Sequence, residues 1–380
     1  MSESAKKNYA QLERTIRRNQ SIVEDDLVIA AISGGADSTA LLDLMVSLRD
    51  KCVSFQLFAV HFDHKLRPES SVEAQLVQGL CDKFGVKLFI GSGNVADEAR
   101  QQHRSEHDIA RELRYKYFVE TALKLKKKSA SERQPIVVTA HHFDDQVETV
   151  LMRLFKGSGL SGLSGIRPFL KWGDPAQVKI FRPLLAFRHD QLVEYCQSLN
   201  LEYVIDPSNA DNYYPRNNIR HTIIPAIVDN MGSAALRGIV RSAEIIRGAD
   251  EYSDREIDKM LVESVCNRRR CELELDFRQY SSYLGWVRLV CIRKAANSIA
   301  GKVLRITYER CKAAEQFLKH KQGGTIEIGG GISVTCTIDR IFFFKQPTAV
   351  ERKRLAVPGK HTVRDWGRLQ VTVVEIGKVQ

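Results

Sequence analysis

The stretch that decides the fold is VIAAISGGADS, residues 28–38. Its first six residues form a short apolar run typical of a buried strand, and two glycines and a helical pattern follow at once. Glycine lets the backbone approach an anion closely, Ser33 and Ser38 offer hydroxyl groups, and the free N–H groups of a helix favour negative charge. The stretch therefore predicts a phosphate-binding loop between a strand and a helix. The simpler interpretation is a strand-to-helix turn capped by Asp37.

Asp37 adds a constraint to this loop, because a carboxylate repels phosphate unless a cation lies between them. We therefore expect Mg²⁺ to bridge Asp37 and a pyrophosphate group. The sequence contains no Walker motif of the form GxxxxGK[ST], so the loop is not of the common NTPase type.

Strand-like and helix-like segments alternate through the first two hundred residues. After the loop, strand-like segments occur at 55–62, 87–90 and 136–140, and helix-like segments at 70–84, 105–128 and 144–156. This alternation predicts an α/β fold with a Rossmann-like parallel sheet and helices on both faces. Ligands of such sheets bind beyond the carboxyl ends of the strands, so the residues after 32, 62 and 140 are the candidates for chemistry.

Polar clusters follow two of these strands. They are HFDHKLR at 61–67 and HHFDDQVE at 141–148. If the second cluster opens a helix, Asp144, Asp145 and Glu148 lie within one turn, a pattern typical of a metal site. The alternative is helix-capping acids beside a hydrogen-bonded histidine pair. Because the strand ends of one sheet converge, we expect both clusters to join the phosphate loop in one site.

Arginines and glycines near these clusters have less specific patterns. Arg111 and Arg114 lie three apart on a predicted helix and can reach one anion together, although each alone also fits a surface arginine. GSGLSG at 157–162 matches GxGxxG, but it follows a helix instead of a strand, which excludes a dinucleotide fingerprint. A flexible loop over the ligand edge of the sheet is the better interpretation. DPSN at 206–209 and RNNIR at 216–220 flank Tyr213 and Tyr214, which can stack on bases.

Positive charge is concentrated in the second part of the chain. The 380 residues carry a net charge of +11, but residues 1–225 hold 30 basic and 28 acidic side chains, whereas residues 226–380 hold 27 and 18. This asymmetry is what a catalytic domain joined to a polyanion-binding domain would produce. The simpler interpretation of any single basic run is a solvated surface.

The patterns divide the chain into three expected domains. Residues 1–225 form the α/β domain. Residues 226–322 have apolar positions at helical spacing and form a helical domain, and residues 323–380 are rich in short strands and glycine turns and form a small β-rich domain.

Composition excludes several classes of protein. Hydrophobic residues make up 43% and charged residues 27%, which excludes general disorder. No apolar run approaches the ~18 residues of a membrane helix, the first ten residues lack the apolar core of a signal peptide, and the eight cysteines form no CxxC pair. We expect a cytoplasmic protein without a membrane partner.

Seven ordered motifs give the chain a resemblance to a known family. They are SGGADS at 33–38, HFDHKLR at 61–67, ARELRY at 110–115, TAHHFDDQVET at 139–149, GSGLSGLSGI at 157–166, RPLL at 182–185, and DPSN with RNNIR at 206–220. In this order they resemble the tRNA(Ile)-lysidine synthetases of the PP-loop, or N-type ATP pyrophosphatase, superfamily. Two departures stand out: Lys156 replaces the usual arginine, and the sequence ends earlier than the longer members, so the last domain is expected to be short or incomplete.

The resemblance implies a two-step ligation. ATP adenylates the C2 oxygen of the wobble cytidine in an isoleucine tRNA with a CAU anticodon, and L-lysine then displaces AMP to give lysidine, which reads AUA. The implied cofactors are ATP and Mg²⁺, and a monomer and a homodimer both remain open. By motif position, the implied catalytic residues are Asp37, His141, Asp145, Glu148, Arg114 and Arg216. The implied ATP-binding residues are Ile32, Ser33, Gly34, Gly35, Ala36, Asp37, Ser38 and His61, with Asp37 on Mg²⁺; the lysine or tRNA contacts are Arg111, Asp144, Arg220 and Lys156.

Three other functions fit parts of the pattern. A tRNA thiolase would share the adenylation step but needs cysteines, and no cysteine lies in the site segments. A metallophosphohydrolase could use histidines and acids of the two polar clusters, and would bind Mn²⁺ or Zn²⁺ tightly without consuming ATP. A non-catalytic RNA-binding protein would bind tRNA with a steep salt dependence and would not turn ATP over.

Overall fold

The computed structural model describes residues 3–64, 70–129, 131–173, 177–204, 215–269, 271–301, 303–304, 306–320, 323–345, 359–363 and 367–371. The chain divides into two compact units, residues 1–252 and 253–380.

The first unit is built on a six-stranded sheet. Its strands are β1 (Leu27–Ala31), β2 (Gln56–Asp63), β3 (Lys87–Ser92), β4 (Ile136–Val138), β5 (Phe169–Trp172) and β6 (Val178–Phe181), and their spatial order is β3-β2-β1-β4-β6-β5. Five neighbouring strands run parallel, namely β3, β2, β1, β4 and β6. The remaining strand, β5, pairs with β6 as an antiparallel edge strand. The predicted α/β fold with a largely parallel sheet is confirmed.

The helices of the first unit connect these strands and continue after them. They are α1 (Glu3–Asn19), α2 (Ala36–Lys51), α3 (Ser70–Lys83), α4 (Val95–Gln102), α5 (Glu106–Lys126), α6 (Phe143–Phe155), α7 (Leu160–Leu163), α8 (His189–Ser198), α9 (Pro215–Asn218), a π-helical turn (Ile219–Ile223), α10 (Ile224–Met231) and the start of α11 (Ala234–Ser264).

Helices cover both faces of the sheet, as the alternation of segments predicts. Val28 and Ala30 of β1 belong to a core that includes residues of α1, α2 and α8, whereas Leu27 and Ile29 belong to a second core with α5. Because both faces are buried, the strand sequence is continuously apolar and does not alternate with polar residues.

Some elements of this unit are absent from the sequence-based prediction. They are the β5–β6 hairpin and the helices α1 and α8, whose sequences lack the glycine-flanked apolar run by which β1 was predicted. The glycine segment 157–162 was expected to be a flexible loop, but its second half belongs to the short helix α7. The Arg153 guanidinium holds this region by donating to the carbonyls of Gly162 (2.7 Å) and Gly165 (2.8 Å).

In the residues that the structure describes, the second unit combines the end of α11, an antiparallel sheet and three further helices. The sheet order is β7-β8-β11-β10-β9, a separate hairpin is formed by β12 and β13, and the helices are α12 (Phe277–Ser282), α13 (Gly285–Ala300) and α14 (Tyr308–Lys319). The strands are β7 (Val265–Arg269), β8 (Glu272–Asp276), β9 (Ile326–Gly329), β10 (Ile332–Cys336), β11 (Arg340–Lys345), β12 (Gly359–Val363) and β13 (Gly367–Val371).

The expectation of helices throughout 226–320 is wrong for residues 265–276, which form β7 and β8. The signal for β8 lies in the alternation of ELELD, where Leu273 and Leu275 are buried and the three acids at the alternate positions are half-buried. The sheet takes strands from both sides of residue 322. The three-domain division at 225 and 322 stays a prediction.

No single helix in the described parts of the chain is long and apolar enough to cross a membrane. One sharply bent pair, Pro215–Met231 with Ala234–Ser264, satisfies the length and composition test only when its two members are taken together.

Candidate active site

The phosphate loop lies at the carboxyl end of β1, where the sequence places it. Gly34 has φ +92°, a conformation that favours glycine, and Gly35 is the N-cap of α2. The Ser38 hydroxyl accepts the backbone N–H groups of Ser33 (3.1 Å) and Gly34 (3.2 Å) and donates to the carbonyl of Gly35 (3.0 Å). Ser38 is therefore buried and shapes the loop, while Ser33 is exposed.

His61 supports the same loop from the neighbouring strand. Its Nδ1 lies 2.9 Å from the carbonyl oxygen of Ile32, and its side chain is buried. The loop is also held from the other side, because the N–H of Val204 donates to the carbonyl of Gly34 (2.9 Å). Both contacts fix the backbone that an ATP phosphate would approach.

A group that we name the carboxylate cluster surrounds the N-termini of α2, α6 and α8. Its members are Asp37, His142, Asp144, Asp145, Glu148 and His189. The Asp37 carboxylate lies 2.9 Å from Nδ1 of His189 and 3.5 Å from Nε2 of His142. His142 is buried and caps α6: its Nδ1 accepts the N–H of Asp145, and its own N–H donates to the Asp145 carboxylate (3.1 Å). The N–H of His189 donates to Asp144 (2.8 Å).

The protonation of this cluster follows from its charges. The hydrogen bond with Asp37 raises the pKa of His189, and burial opposes the shift. Burial lowers the pKa of His142, but the hydrogen bond with Asp144 and the charges of Asp145 and Asp37 outweigh it and raise the pKa above its ordinary value. For Asp144, burial raises the pKa, and the interactions with His142, His189 and Arg188 bring it below its usual range.

The second half of the carboxylate cluster is neutralised by two arginines. Glu148 is fully buried, and its two oxygens accept from Nε of Arg216 (2.6 Å) and Nε of Arg220 (2.5 Å). Arg216 also donates to Asp145 through Nη2. Arg216 belongs to α9 and Arg220 to the π-helical turn, so the segment after residue 214 is tied to α6 by charge.

A group that we name the arginine cluster is different. Its members are Arg111, Arg114, Arg153 and Arg182. The guanidinium carbons of Arg111 and Arg114 lie 4.8 Å and 6.0 Å from the centre of the Tyr115 ring, which stacks on Trp172. The buried Arg182 donates to the carbonyl of Arg167 (2.6 Å) and to the Tyr115 hydroxyl (3.4 Å), and its Nε has no hydrogen-bond partner among the residues that the structure describes.

His141 is influenced by both clusters. Burial lowers its pKa to about 3, helped by the positive charges of Arg182, Arg111 and Arg114 and opposed by Asp145. Its Nδ1 lies 2.9 Å from the Thr139 hydroxyl. The two adjacent histidines therefore differ: His141 is uncharged at neutral pH, whereas the carboxylates favour the charged form of His142.

Lys156 lies apart from the other candidate residues. It ends α6, and at 1.5 Å per residue it is about 20 Å along the helix from the acids of the first turn. Its exposed side chain lines a cavity of about 400 Å³ with Met152, Phe155, Pro215, Asn218, Ile219 and Ile223.

Sequence reasoning missed three residues that the structure brings into the site. His142 was passed over in favour of His141, although both belong to one motif. Arg182 opens the RPLL motif, but a buried arginine has no signature in a single sequence. His189 could have been suspected, because it begins a helix soon after the end of a parallel strand. Residues 65–67 of HFDHKLR, the DPSN motif, Tyr213 and Tyr214 lie outside the described residues.

Comparisons with known proteins agree with this arrangement. A family model described as the PP-loop domain matches residues 3–227. Among solved structures, the U34-tRNA thiolase NcsA from Methanococcus maripaludis with its 4Fe-4S cluster is similar in fold, with a TM-score of 0.52 and 18% identity over 64% of this chain and 80% of that one.

Three curated relatives carry the name tRNA(Ile)-lysidine synthase. The protein from Caldanaerobacter subterraneus subsp. tengcongensis is 27% identical over 96% of this chain and 76% of its own length. The protein from Geobacter sulfurreducens is 30% identical over 84% of this chain and 65% of its own length, and that from Clostridium perfringens strain 13 is 33% identical over 64% and 49%. The match to the latter two thus covers about half to two thirds of their length.

Proposed function

The chain belongs to the PP-loop domain family, and from that premise we propose that it is a tRNA(Ile)-lysidine synthase. It would join L-lysine to C2 of the wobble cytidine in an isoleucine tRNA with a CAU anticodon, with ATP converted to AMP and pyrophosphate. Relatives with this name align over as much as 96% of the chain. The product would let the tRNA read AUA.

The observation that carries the proposal is that a carboxylate-rich cluster and an arginine cluster lie beside one phosphate loop. The loop at 33–38 suits the phosphates of ATP, because its glycines and the N-terminus of α2 favour a close anion. The arginine cluster suits the charge that develops at the α-phosphate, and the carboxylate cluster suits a cationic amine such as lysine. No single one of these features would distinguish a ligase from another ATP-dependent enzyme.

Asp37 is the residue that would hold Mg²⁺. Its side chain is 27% exposed and carries free oxygen lone pairs, and Mg²⁺ in nucleotide sites is bound by one or two carboxylates together with phosphates and water. The donor therefore fits. When bound, Mg²⁺ would neutralise phosphate charge that Asp37 would otherwise repel.

The chemistry proceeds in two balanced steps. In the first, the C2 oxygen of cytidine attacks the α-phosphorus of ATP, the bond to the bridging oxygen breaks, and pyrophosphate leaves. Arg111 and Arg114 would meet the charge on that phosphorus. In the second, an amine of lysine attacks C2, the C2–O bond breaks, and AMP and a proton leave. His141, Asp145 and Glu148 are the residues we place on the lysine side, with Arg216 and Arg220 as their counter-charges.

Binding of the tRNA would depend strongly on charge. Residues 226–380 carry 27 basic and 18 acidic side chains, which suits contacts with phosphates along the RNA. We place the protein in the cytoplasm, where tRNA, ATP and lysine meet, and leave monomer and homodimer as alternatives for a sedimentation measurement.

The deciding experiment measures AMP release. The full chain is incubated with α-labelled ATP, Mg²⁺ and unmodified isoleucine tRNA, with and without lysine. AMP release that needs both tRNA and lysine is expected, and Asp37→Asn should reduce it at least a hundredfold. The matched control is Asp50→Asn, a carboxylate removed from the opposite end of α2.

The other outcomes separate the alternatives. AMP release that ignores lysine would keep the adenylation and point to another nucleophile, as in a thiolase. Absence of AMP, with phosphate released from a monoester in the presence of Mn²⁺, would overturn the proposal in favour of a phosphohydrolase.

A further inference from the structure

Three side chains from three separate helix N-termini meet at one point of the first unit. Asp37 comes from the first turn of α2, His142 caps α6, and His189 begins α8. One ligand atom from each lies within 4.8 Å of those of the other two. We propose that Asp37, His142 and His189 bind a divalent transition metal of the zinc type.

The spacing of the donor atoms fits such an ion. Tetrahedral Zn²⁺ binds nitrogen and oxygen at about 2.0–2.2 Å, which places neighbouring ligand atoms about 3.3 Å apart. The two measured separations from Asp37 are 2.9 Å to His189 Nδ1 and 3.5 Å to His142 Nε2, one on each side of that value.

The type of donor decides between metals. Mg²⁺ takes oxygen ligands and keeps much of its water, so two imidazole nitrogens are a poor match for it. Two histidines and one carboxylate are a common set for Zn²⁺ and neighbouring transition metals, and they leave a fourth position for water or substrate. With Asp37 alone the site would prefer Mg²⁺. The second imidazole, that of His189, shifts the preference to Zn²⁺ and neighbouring transition metals.

Asp144 supports both histidines. Its carboxylate lies 3.6 Å from Nδ1 of His142, the ring nitrogen opposite the one that faces Asp37. It also accepts the backbone N–H of His189 at 2.8 Å. Metal binding through Nε2 would place the ring proton on Nδ1, which would then donate to Asp144 and no longer accept the N–H of Asp145. A carboxylate in that position fixes the ring and raises its basicity, and losing such a partner commonly weakens metal binding 10- to 100-fold.

Carboxylates offset the unfavourable field at this point. The N-termini of three helices converge there, and each carries positive partial charge that opposes a cation. Asp37, Asp144 and Asp145 lie in the first turns of α2 and α6 and supply compensating negative charge.

The metal site is independent of the proposed ligation, since it rests only on the three ligands and Asp144. If the ligation is also correct, zinc and the magnesium complex of ATP would compete for Asp37. The first test therefore uses the metal alone, without ATP, tRNA or lysine.

The experiment titrates Co²⁺ and Zn²⁺ into the chelator-treated full chain. The exposed Cys266 and Cys271 are changed to serine beforehand, because thiolates bind both ions. One Co²⁺ per chain with visible absorption bands of a four- or five-coordinate ion is expected, and Zn²⁺ should displace it. His189→Ala and Asp37→Asn should each weaken Zn²⁺ binding at least tenfold, and Asp144→Asn about tenfold.

The matched control is His103→Asn, which removes an exposed histidine from a left-handed position that asparagine also accepts. It should leave the affinity unchanged. Zinc binding that survives both His189→Ala and Asp37→Asn in variants with unchanged circular dichroism, or that is lost in His103→Asn, overturns the proposal. Failure of AMP release with intact zinc binding would reject only the ligase.

Discussion

The carboxylate cluster and the arginine cluster lie at the same sheet edge but differ in whether their charges are paired with opposite charges of the protein. Glu148 and Asp145 are matched by Arg216 and Arg220, so this charge is already compensated within the protein. In the described part of the chain, Arg111, Arg114, Arg153 and Arg182 have no carboxylate within 4 Å. Uncompensated charge in a folded protein is unfavourable unless a ligand arrives, and we therefore propose that the arginine cluster binds a substrate anion.

This contrast predicts where mutations damage the fold and where they damage binding. Removing charge from the compensated cluster leaves a partner unpaired, and should cost stability. Removing charge from the arginine cluster breaks hydrogen bonds but no ion pair, and should cost binding more than stability.

The largest effect is expected for Glu148→Gln. Its buried carboxylate holds two arginines, and breaking a buried pair typically costs 3–5 kcal/mol; because Arg216 and Arg220 are 41% and 33% exposed, we expect about 3 kcal/mol. Urea denaturation followed by circular dichroism measures the free energy of unfolding. Glu112→Gln, at the exposed pair with Arg104, should cost under about 1 kcal/mol. Equal losses of unfolding free energy in the two variants would contradict the stabilising role of the buried pairs of Glu148.

Arg182→Met should have the reverse profile. The buried guanidinium has no carboxylate partner among the described residues, but its replacement removes the hydrogen bonds to the Arg167 carbonyl and the Tyr115 hydroxyl. The free energy of unfolding should therefore fall by about 2 kcal/mol, less than for Glu148→Gln. The affinity for tRNA should fall roughly tenfold, or about 1.4 kcal/mol, because the cluster loses a charge and Tyr115 loses a support. Filter binding measures the affinity, with the exposed Arg18→Met as control. A large loss of stability with normal tRNA affinity would contradict this prediction.

Arg111→Ala tests whether an exposed member of the arginine cluster contacts a phosphate of the tRNA. Each phosphate contact contributes about one to the slope of log affinity against log salt concentration, so this variant should lower the slope by about one. Its free energy of unfolding should stay within about 0.5 kcal/mol of the parent. An unchanged slope would place the phosphate contact on other members of the cluster.

The smallest effect concerns the pKa of His64. Burial, with the charges of Arg114 and His61, lowers this pKa to about 4, and the charge of Asp63 opposes the shift. Because the folded-state pKa is below the ordinary value of 6.5, the unfolded chain binds the proton first, and stability falls as the pH drops from 6.5 towards 4. Arg114→Gln should raise the pKa of His64, as measured by NMR titration of its ring, and should reduce that loss. An unchanged pKa would mean that Arg114 does not act on His64.

Several elements of this fold could be predicted from short segments of sequence. The strand β1, the glycine turn after it and helix α2 were predicted from eleven residues, because a buried parallel strand needs a continuous apolar run and a phosphate loop needs glycine. The helix predicted over 144–156 is observed as α6, Phe143–Phe155, whereas its capping by His142 was not predicted. The strands β7 and β8 were missed because their period-2 pattern is short and is followed by strongly helical segments.

The type of fold, the position of the phosphate loop and the charged residues near it could be predicted from the sequence. These features depend on local residue patterns and on the order of the motifs. Only the tertiary structure decided how those residues are paired. It placed His142 and not His141 beside Asp37, added His189 from a helix about 150 positions away, and assigned Arg216 and Arg220 to Glu148. The physical reason is that charge pairing acts through distances of a few ångströms, which sheet topology sets and sequence separation does not record.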